Sequence, residues 1–141
     1  VLQEQDEAKS HPSRTETRMS TKTFGSFAVS DIEAARKFYG ETLGLKTEWV
    51  MGEGGPIWLY DDGGARTLVY PKPDYAPATF TVFNLEVADI DRAVEELSSK
   101  GVTFERYEGF PMDEKNISRD EMATAAWCTD PAGNVIAVIQ P

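Results

Sequence analysis

Residues 29–45, VSDIEAARKFYGETLGL, decide the fold, because a second stretch 58 positions later is built on the same plan. In the first, Ser30 or Asp31 can cap a helix on which Ile32, Ala35, Phe38 and Tyr39 share one face, and Gly44 stands where that helix ends. In the second, VADIDRAVEELSSKG (87–101), Val87, Asp89, Ile90 and Ala93 match Val29, Asp31, Ile32 and Ala35, and Gly101 closes the helix. Each helix follows an alternating segment, FGSFAV (24–29) and FTVFNLEV (80–87), that reads as a strand. Three short strands follow each helix: LKTEWVM, PIWLYD and RTLVYP in the first half, VTFERY, TAAWCT and NVIAVIQ in the second. The order predicts an α+β chain of two tandem βαβββ modules, about residues 23–72 and 78–140.

Composition narrows what such a domain does. The 141 residues suit one domain, and no apolar run approaches the roughly 18 residues of a bilayer span, so no membrane partner is expected. Residues 1–22 contain no aromatic residue, and four acids (Glu4, Asp6, Glu7, Glu16) balance four bases (Lys9, Arg14, Arg18, Lys22); they read as a disordered or appended arm, with Met19 a candidate natural start. The net charge of −10 therefore falls on residues 23–141, which disfavours nucleic acid and leaves room for cationic ligands. Cys128 is the single cysteine, so no internal disulfide forms and a cytoplasmic location is expected. Its strand context suits a small buried hydrophobe, and the one histidine, His11, lies in the arm.

The helix stretch VSDIEAARKFYGETLGL and the closing hairpin WCTDPAGNVIAVIQ (127–140) resemble the vicinal oxygen chelate superfamily, the family of glyoxalase I, extradiol dioxygenases and bleomycin-resistance proteins. The resemblance implies that the modules form a curved, cup-like mixed sheet with the helices outside. Strand parity then divides the side chains. Phe27 and Val29 pack under the first helix, while Phe24, Ser26 and Ala28 face the cup; Phe83, Leu85 and Val87 lie beneath Ala93, Val94 and Leu97, while Phe80, Val82, Asn84 and Glu86 face it. Leu68 and Tyr70 on the fourth strand, with Val135, Ala137 and Ile139 on the eighth, also look inward; a bulge would reverse the assignment locally.

Metalloenzymes of that family place a ligand on the first strand of each module and a glutamate on the last. Those positions fall here at Phe24 and Val82, and at Leu68 (Tyr70 if the register slips) and Ala137, none of them an ordinary metal ligand. A site of carboxylates alone, drawn from Glu48, Glu53, Asp61 or Glu86, is the remaining metal option, but these acids show no fixed spacing. The expectation is a metal-free and cofactor-free, non-catalytic binder of a hydrophobic or aromatic compound such as an antibiotic, formed as a homodimer. Trp49, Trp58 and Tyr60 supply stacking surfaces, and Phe110 or Met112 reach the ligand from the loop EGFPMDEKNISRDEMA (108–123). The alternatives are an enzyme of glyoxalase, dioxygenase or isomerase type, with Glu86 and Tyr70 as acid/base candidates, and a domain for protein association.

Overall fold

The structure is a computed structural model and describes residues 21–141, so all but the last two residues of the N-terminal arm lie outside the described residues. Two four-stranded mixed sheets are present. The first contains β1 (Gly25–Val29), β2 (Lys46–Trp49), β3 (Ile57–Tyr60) and β4 (Arg66–Pro71) in the order β1-β4-β3-β2. The second contains β5 (Thr81–Glu86), β6 (Ser118–Arg119), β7 (Thr124–Thr129) and β8 (Val135–Gln140) in the order β5-β8-β7-β6. In both, the first strand pairs parallel with the last, and every other pairing is antiparallel.

Each first strand is followed by a helix, α1 (Ile32–Lys37) and α2 (Ile90–Ser99). Asp31 and Asp89 sit in extended backbone and cap these helices, accepting from the N–H groups of Ala34 (3.1 Å) and Arg92 (3.2 Å). α1 widens into a π-helical turn over Phe38–Thr42, where the Leu43 N–H donates to the Phe38 carbonyl at 2.9 Å. This turn carries Tyr39, which is fully buried. Gly44 (φ +81°) and Gly101 (φ +96°) end the two helical segments in the left-handed conformation that glycine adopts without a Cβ clash.

The side that parity assigns to the helices supplies most of the core, although on β7 and β8 Ala125 and Ala137 of the opposite face are buried as well. Phe27, Val29, Ile57, Leu59 and Val69 come from the first sheet and Ala126, Cys128, Ile136 and Val138 from the second, and all belong to one continuous core. Burying each of the large apolar side chains contributes about 1.5–3 kcal/mol against the entropy of ordering the chain. The modules meet at a ring trio, with centroids 5.6 Å apart for Phe27–Tyr39, 5.9 Å for Phe27–Phe83 and 5.8 Å for Tyr39–Phe83. Phe83 thus lies on the buried side, as its position in the alternation requires.

VTFERY, expected as the sixth strand, does not join the ladder. It runs beside β7, with Phe104 buried and the Glu105 N–H donating to the Trp127 carbonyl at 2.7 Å, but β6 is formed by Ser118–Arg119. The cause lies in the loop between them. Arg106 donates to the Asp113 carbonyl and the Asn116 side chain, both at 2.9 Å, and Asp113 Oδ1 accepts from Lys115 N (2.8 Å) and Ile117 N (3.0 Å). The loop is thereby folded on itself, and only residues 118–119 return in register with β7. Among the described residues no helix is long and apolar enough to cross a membrane.

Candidate functional site

On the first sheet, residues paired across strands point to the same side, so the register gives the composition of the open face. Ser26 pairs with Leu68, Leu68 with Trp58, and Trp58 with Glu48, while Tyr70 lies one step along beside Ala28. Tyr60 pairs with Lys46 and Arg66. Phe24, just before β1, meets the Trp58 ring edge-on at 4.8 Å, and the Arg66 guanidinium lies over both rings, 5.1 Å from Phe24 and 4.0 Å from Trp58. Lys46 lies over the Tyr60 ring at 5.4 Å, and the Tyr60 hydroxyl donates to Glu48 at 3.0 Å, a bond that raises the phenol's pKa. This wall is aromatic and already carries its own cations.

Trp49 is not part of it. It pairs with Ile57, whose side chain is buried beneath the helix, and Arg36 of α1 lies 5.7 Å over its ring, so Trp49 belongs to the helix side of the sheet. A strand of four residues that begins at Lys46 puts Lys46 and Glu48 outward and Thr47 and Trp49 inward, and the aromatic character of Trp49 does not alter that parity.

On the second sheet Asn84 pairs with Ala137 and Ala137 with Trp127, while Glu86 pairs with Ile139. Ala137 is only 2% exposed, so it is not part of an open surface. Tyr107 and Phe110 approach Trp127, with centroids at 5.7 and 5.9 Å, and lie 6.2 Å from each other. Burial, with a smaller contribution from Glu105, raises the Tyr107 phenol's pKa. Phe110 lies against Trp127 and Tyr107, whereas the Met112 sulfur accepts from the Tyr107 N–H at 3.4 Å. Val82 departs from the alternation: the register moves from Thr81–Val135 to Phe83–Ile136, which makes Val82 the extra residue of a bulge, and it packs against the buried core. Phe80, before the strand, is 67% exposed.

Trp127 and Tyr107 are the wall residues that reading the strands one by one missed. A signal for Trp127 was present, since a buried Cys128 forces its neighbour to the opposite face. A second signal lies in the repeat: Trp58, Asp61 and Gly64 recur as Trp127, Asp130 and Gly133 at a spacing of 69, against 58 for the helices. The extra 11 residues are the length by which the 106–117 loop enlarges the second module.

The turn after β7 locks the modules together. Tyr39 donates its hydroxyl to Asp130 Oδ2 at 2.6 Å; Asp130 Oδ1 accepts from Ala132 N and Asn134 N, both at 2.9 Å. Asn134 Nδ2 bonds Asp130 Oδ2 (3.1 Å) and the Ala28 carbonyl (2.8 Å), and its Oδ1 accepts from the Tyr75 hydroxyl (2.8 Å). Burial first, then the charge of Asp130, raises the Tyr39 pKa far above its ordinary value. Burial, again helped by Asp130, pushes the Cys128 thiol up to about 11, which leaves it protonated and inert at neutral pH. This network is structural, and no nucleophile emerges from it.

A family model, the Glyoxalase/Bleomycin resistance protein/Dioxygenase superfamily, matches residues 23–138. The chain belongs to this superfamily. Among curated protein sequences none matches it. A member of the superfamily from Sphaerobacter thermophilus DSM 20745 shares its fold with 22% identity and a TM-score of 0.66, over 87% of this chain and 100% of that one. TnmS3, an antibiotic binding protein from Streptomyces sp. CB03234, is 25% identical with a TM-score of 0.63, over 88% of this chain and 99% of its own. A bleomycin-binding protein complexed with bleomycin is 23% identical with a TM-score of 0.59, over 86% and 99% of the two chains.

The metal that superfamily enzymes carry is not matched by the residues here. The side chains of Phe24, Leu68, Val82 and Ala137 offer no lone pair; Val82 packs against the core and Ala137 is buried. Tyr70 is a phenol on a different sheet from Glu86, and among the described residues no three His, Cys, Asp or Glu side chains converge. Each open face offers aromatic surface that can stack a flat ring, with Ser26 and Tyr70 as hydrogen-bonding groups on the first sheet and Asn84 and Glu86 on the second.

Proposed function

We propose that this superfamily member is a metal-free, cofactor-free small-molecule binding protein that sequesters a hydrophobic or aromatic compound, with antibiotics as the leading class. The observation that carries the reading is the buried Ala137, paired with Trp127 and Asn84, because the family resemblance implies a carboxylate at that strand position in a metalloenzyme and this chain places a methyl group there. The likeness to TnmS3 supports the same reading. The ligand rests on the Trp127, Tyr107 and Phe110 rings, with the Phe24–Trp58–Arg66 stack as the second wall. Asn84 and Ser26 orient it.

Pairing of two copies belongs to the proposal. Phe24, Phe80 and Phe110 are 48%, 67% and 54% exposed, more aromatic surface than an isolated ligand face would leave in water, and a second copy covers it. Fluorescence titration of the full chain with planar aromatic antibiotics tests the site. Trp127→Ala is expected to weaken binding of any compound bound by the parent at least tenfold, about 1.4 kcal/mol, while Trp49→Ala leaves it within about twofold. Equal effects of the two substitutions would refute the assignment.

A further inference from the structure

The two closing hairpins carry the same turn. In Asp61–Ala65 and in Asp130–Asn134 the first N–H donates to the last carbonyl (3.0 and 2.9 Å), a glycine at φ +87° or +88° donates back to the aspartate carbonyl, and Oδ1 accepts two backbone N–H groups. They differ in what meets the turn from the other module. Asp130 receives the Tyr39 hydroxyl, and Asn134 secures the Ala28 carbonyl. The repeat places Leu97 at the counterpart of Tyr39, Ala65 at that of Asn134 and Glu86 at that of Ala28. The hydroxyl and the amide are both missing, and a carboxylate has been added.

Where the second latch would stand, a groove of about 800 Å³ opens between the Asp61–Ala65 turn, Leu43–Leu45 at the exit of the first helix, and α2. Its floor is apolar, with Leu59, Phe83, Leu85, Leu97 and Val138. Its rim carries Asp61, Asp62, Glu86 and Glu96, and no lysine, arginine or histidine lines it. The carboxylates of Asp62, Glu86 and Glu96 have no partner among the described residues, in a protein whose other acids form several ion pairs.

We propose that this groove is a second binding site, centred on the helix side of the sheets and sharing only its Tyr60, Asn84 and Glu86 edge with the open faces, for a small organic cation with an apolar body, such as an aromatic amine or amidine. The volume lies within the range of about 300–1,000 Å³ typical of small-ligand pockets. An apolar body covers the leucine floor while its charge is balanced by the unpaired carboxylates of the rim. A bare metal ion does not suit it, since no three of the acids converge on one point among the described residues. A second copy of the chain is not assigned to it, because the pairing proposed above covers the exposed Phe24, Phe80 and Phe110, none of which lines this groove.

The test is a titration of the full chain with benzamidine, followed by ¹H–¹⁵N NMR, with neutral benzamide as the isosteric control. Benzamidine is expected to move the amide signals of Gly63, Gly64 and Leu97, to leave the Trp127 indole signal in place, and to bind at least about tenfold more tightly than benzamide. Asp62→Asn combined with Glu96→Gln should weaken it about tenfold. Leu97→Tyr, which rebuilds the missing latch in the groove, should abolish it. If Leu97→Tyr fails to fold, the double carboxamide variant alone decides. Shifts centred on Trp127, equal binding of benzamide, unchanged affinity in the double variant, no response at all, or groove shifts that follow protein concentration instead of benzamidine would each overturn the proposal.

Discussion

Tyr39→Phe isolates one of the contacts that join the two modules. The substitution keeps the ring, and with it the contacts to Phe27 and Phe83, and removes the hydroxyl that donates to Asp130 Oδ2 at 2.6 Å. Asp130 is 4% exposed, so its carboxylate cannot recover that bond from bulk water, although Asn134 Nδ2 still holds the same oxygen at 3.1 Å. Loss of a hydrogen bond to a charged, buried group costs about 1.5–3 kcal/mol. With a urea m-value of about 1–3 kcal/mol/M, this lowers the unfolding midpoint by roughly 1 M. Asp61→Asn, at the twin turn, retains an oxygen for the bonds to Gly63 and Ala65 and should change stability by less than about 0.5 kcal/mol. Urea unfolding followed by tryptophan fluorescence measures both. A Tyr39→Phe variant within 0.5 kcal/mol of the parent, or an Asp61→Asn variant equally destabilised, would refute the assignment of the latch to Asp130 (both limits are about one experimental error).

The same phenol gives the protein an alkaline limit: its folded pKa lies above the ordinary value of about 10, so the native state keeps a proton that the unfolded state releases, and stability is full below pH about 10 and falls above it. Tyr39→Phe should flatten that fall by up to about 1.4 kcal/mol per pH unit; Tyr60, Tyr75 and Tyr107 are raised in the same direction and leave a residual slope. Cys128, buried with its thiol pushed up to about 11, should resist a thiol reagent at pH 8 in the native protein (a mildly alkaline assay) and react once unfolded in urea; fast labelling of the native state would contradict its place in the core. Phe83→Glu sets a carboxylate among Phe27 and Tyr39 and should unfold the chain by circular dichroism, whereas Ser26→Ala on the open face should change stability by less than about 0.5 kcal/mol.

Much of this was legible in the sequence because the signal is periodic. The repeated helix stretch marked the two modules, and alternation in GSFAV assigned Phe27 and Val29 to the core, whereas VIAVIQ is apolar up to Gln140, so its pattern does not separate Ile136 and Val138 from Ala137, and all three are buried. Alternation failed where the chain departs from a two-residue period. The bulge at Val82 adds one residue to β5 without any local mark in TVFNLE, and VTFERY has strand propensity but loses its partner to a loop folded around Asp113. Trp49 was misplaced by reading an aromatic residue as a stacking surface before fixing the parity of its strand. The Tyr39–Asp130 bond spans 91 residues and had no local trace, although the recurring Asp–Gly turn pointed to the place.

The central claim is that the chain holds its ligand on aromatic sheet faces without a metal. Its most direct test is a calorimetric titration of one antibiotic ligand, found by the fluorescence titrations, into protein stripped with EDTA and into the same protein supplemented with Zn²⁺, Ni²⁺, Fe²⁺ or Mn²⁺. Equal affinity in all preparations, lost in Trp127→Ala, is the expected result. Binding or turnover that appears only with one of the metals, and survives Trp127→Ala, would contradict it.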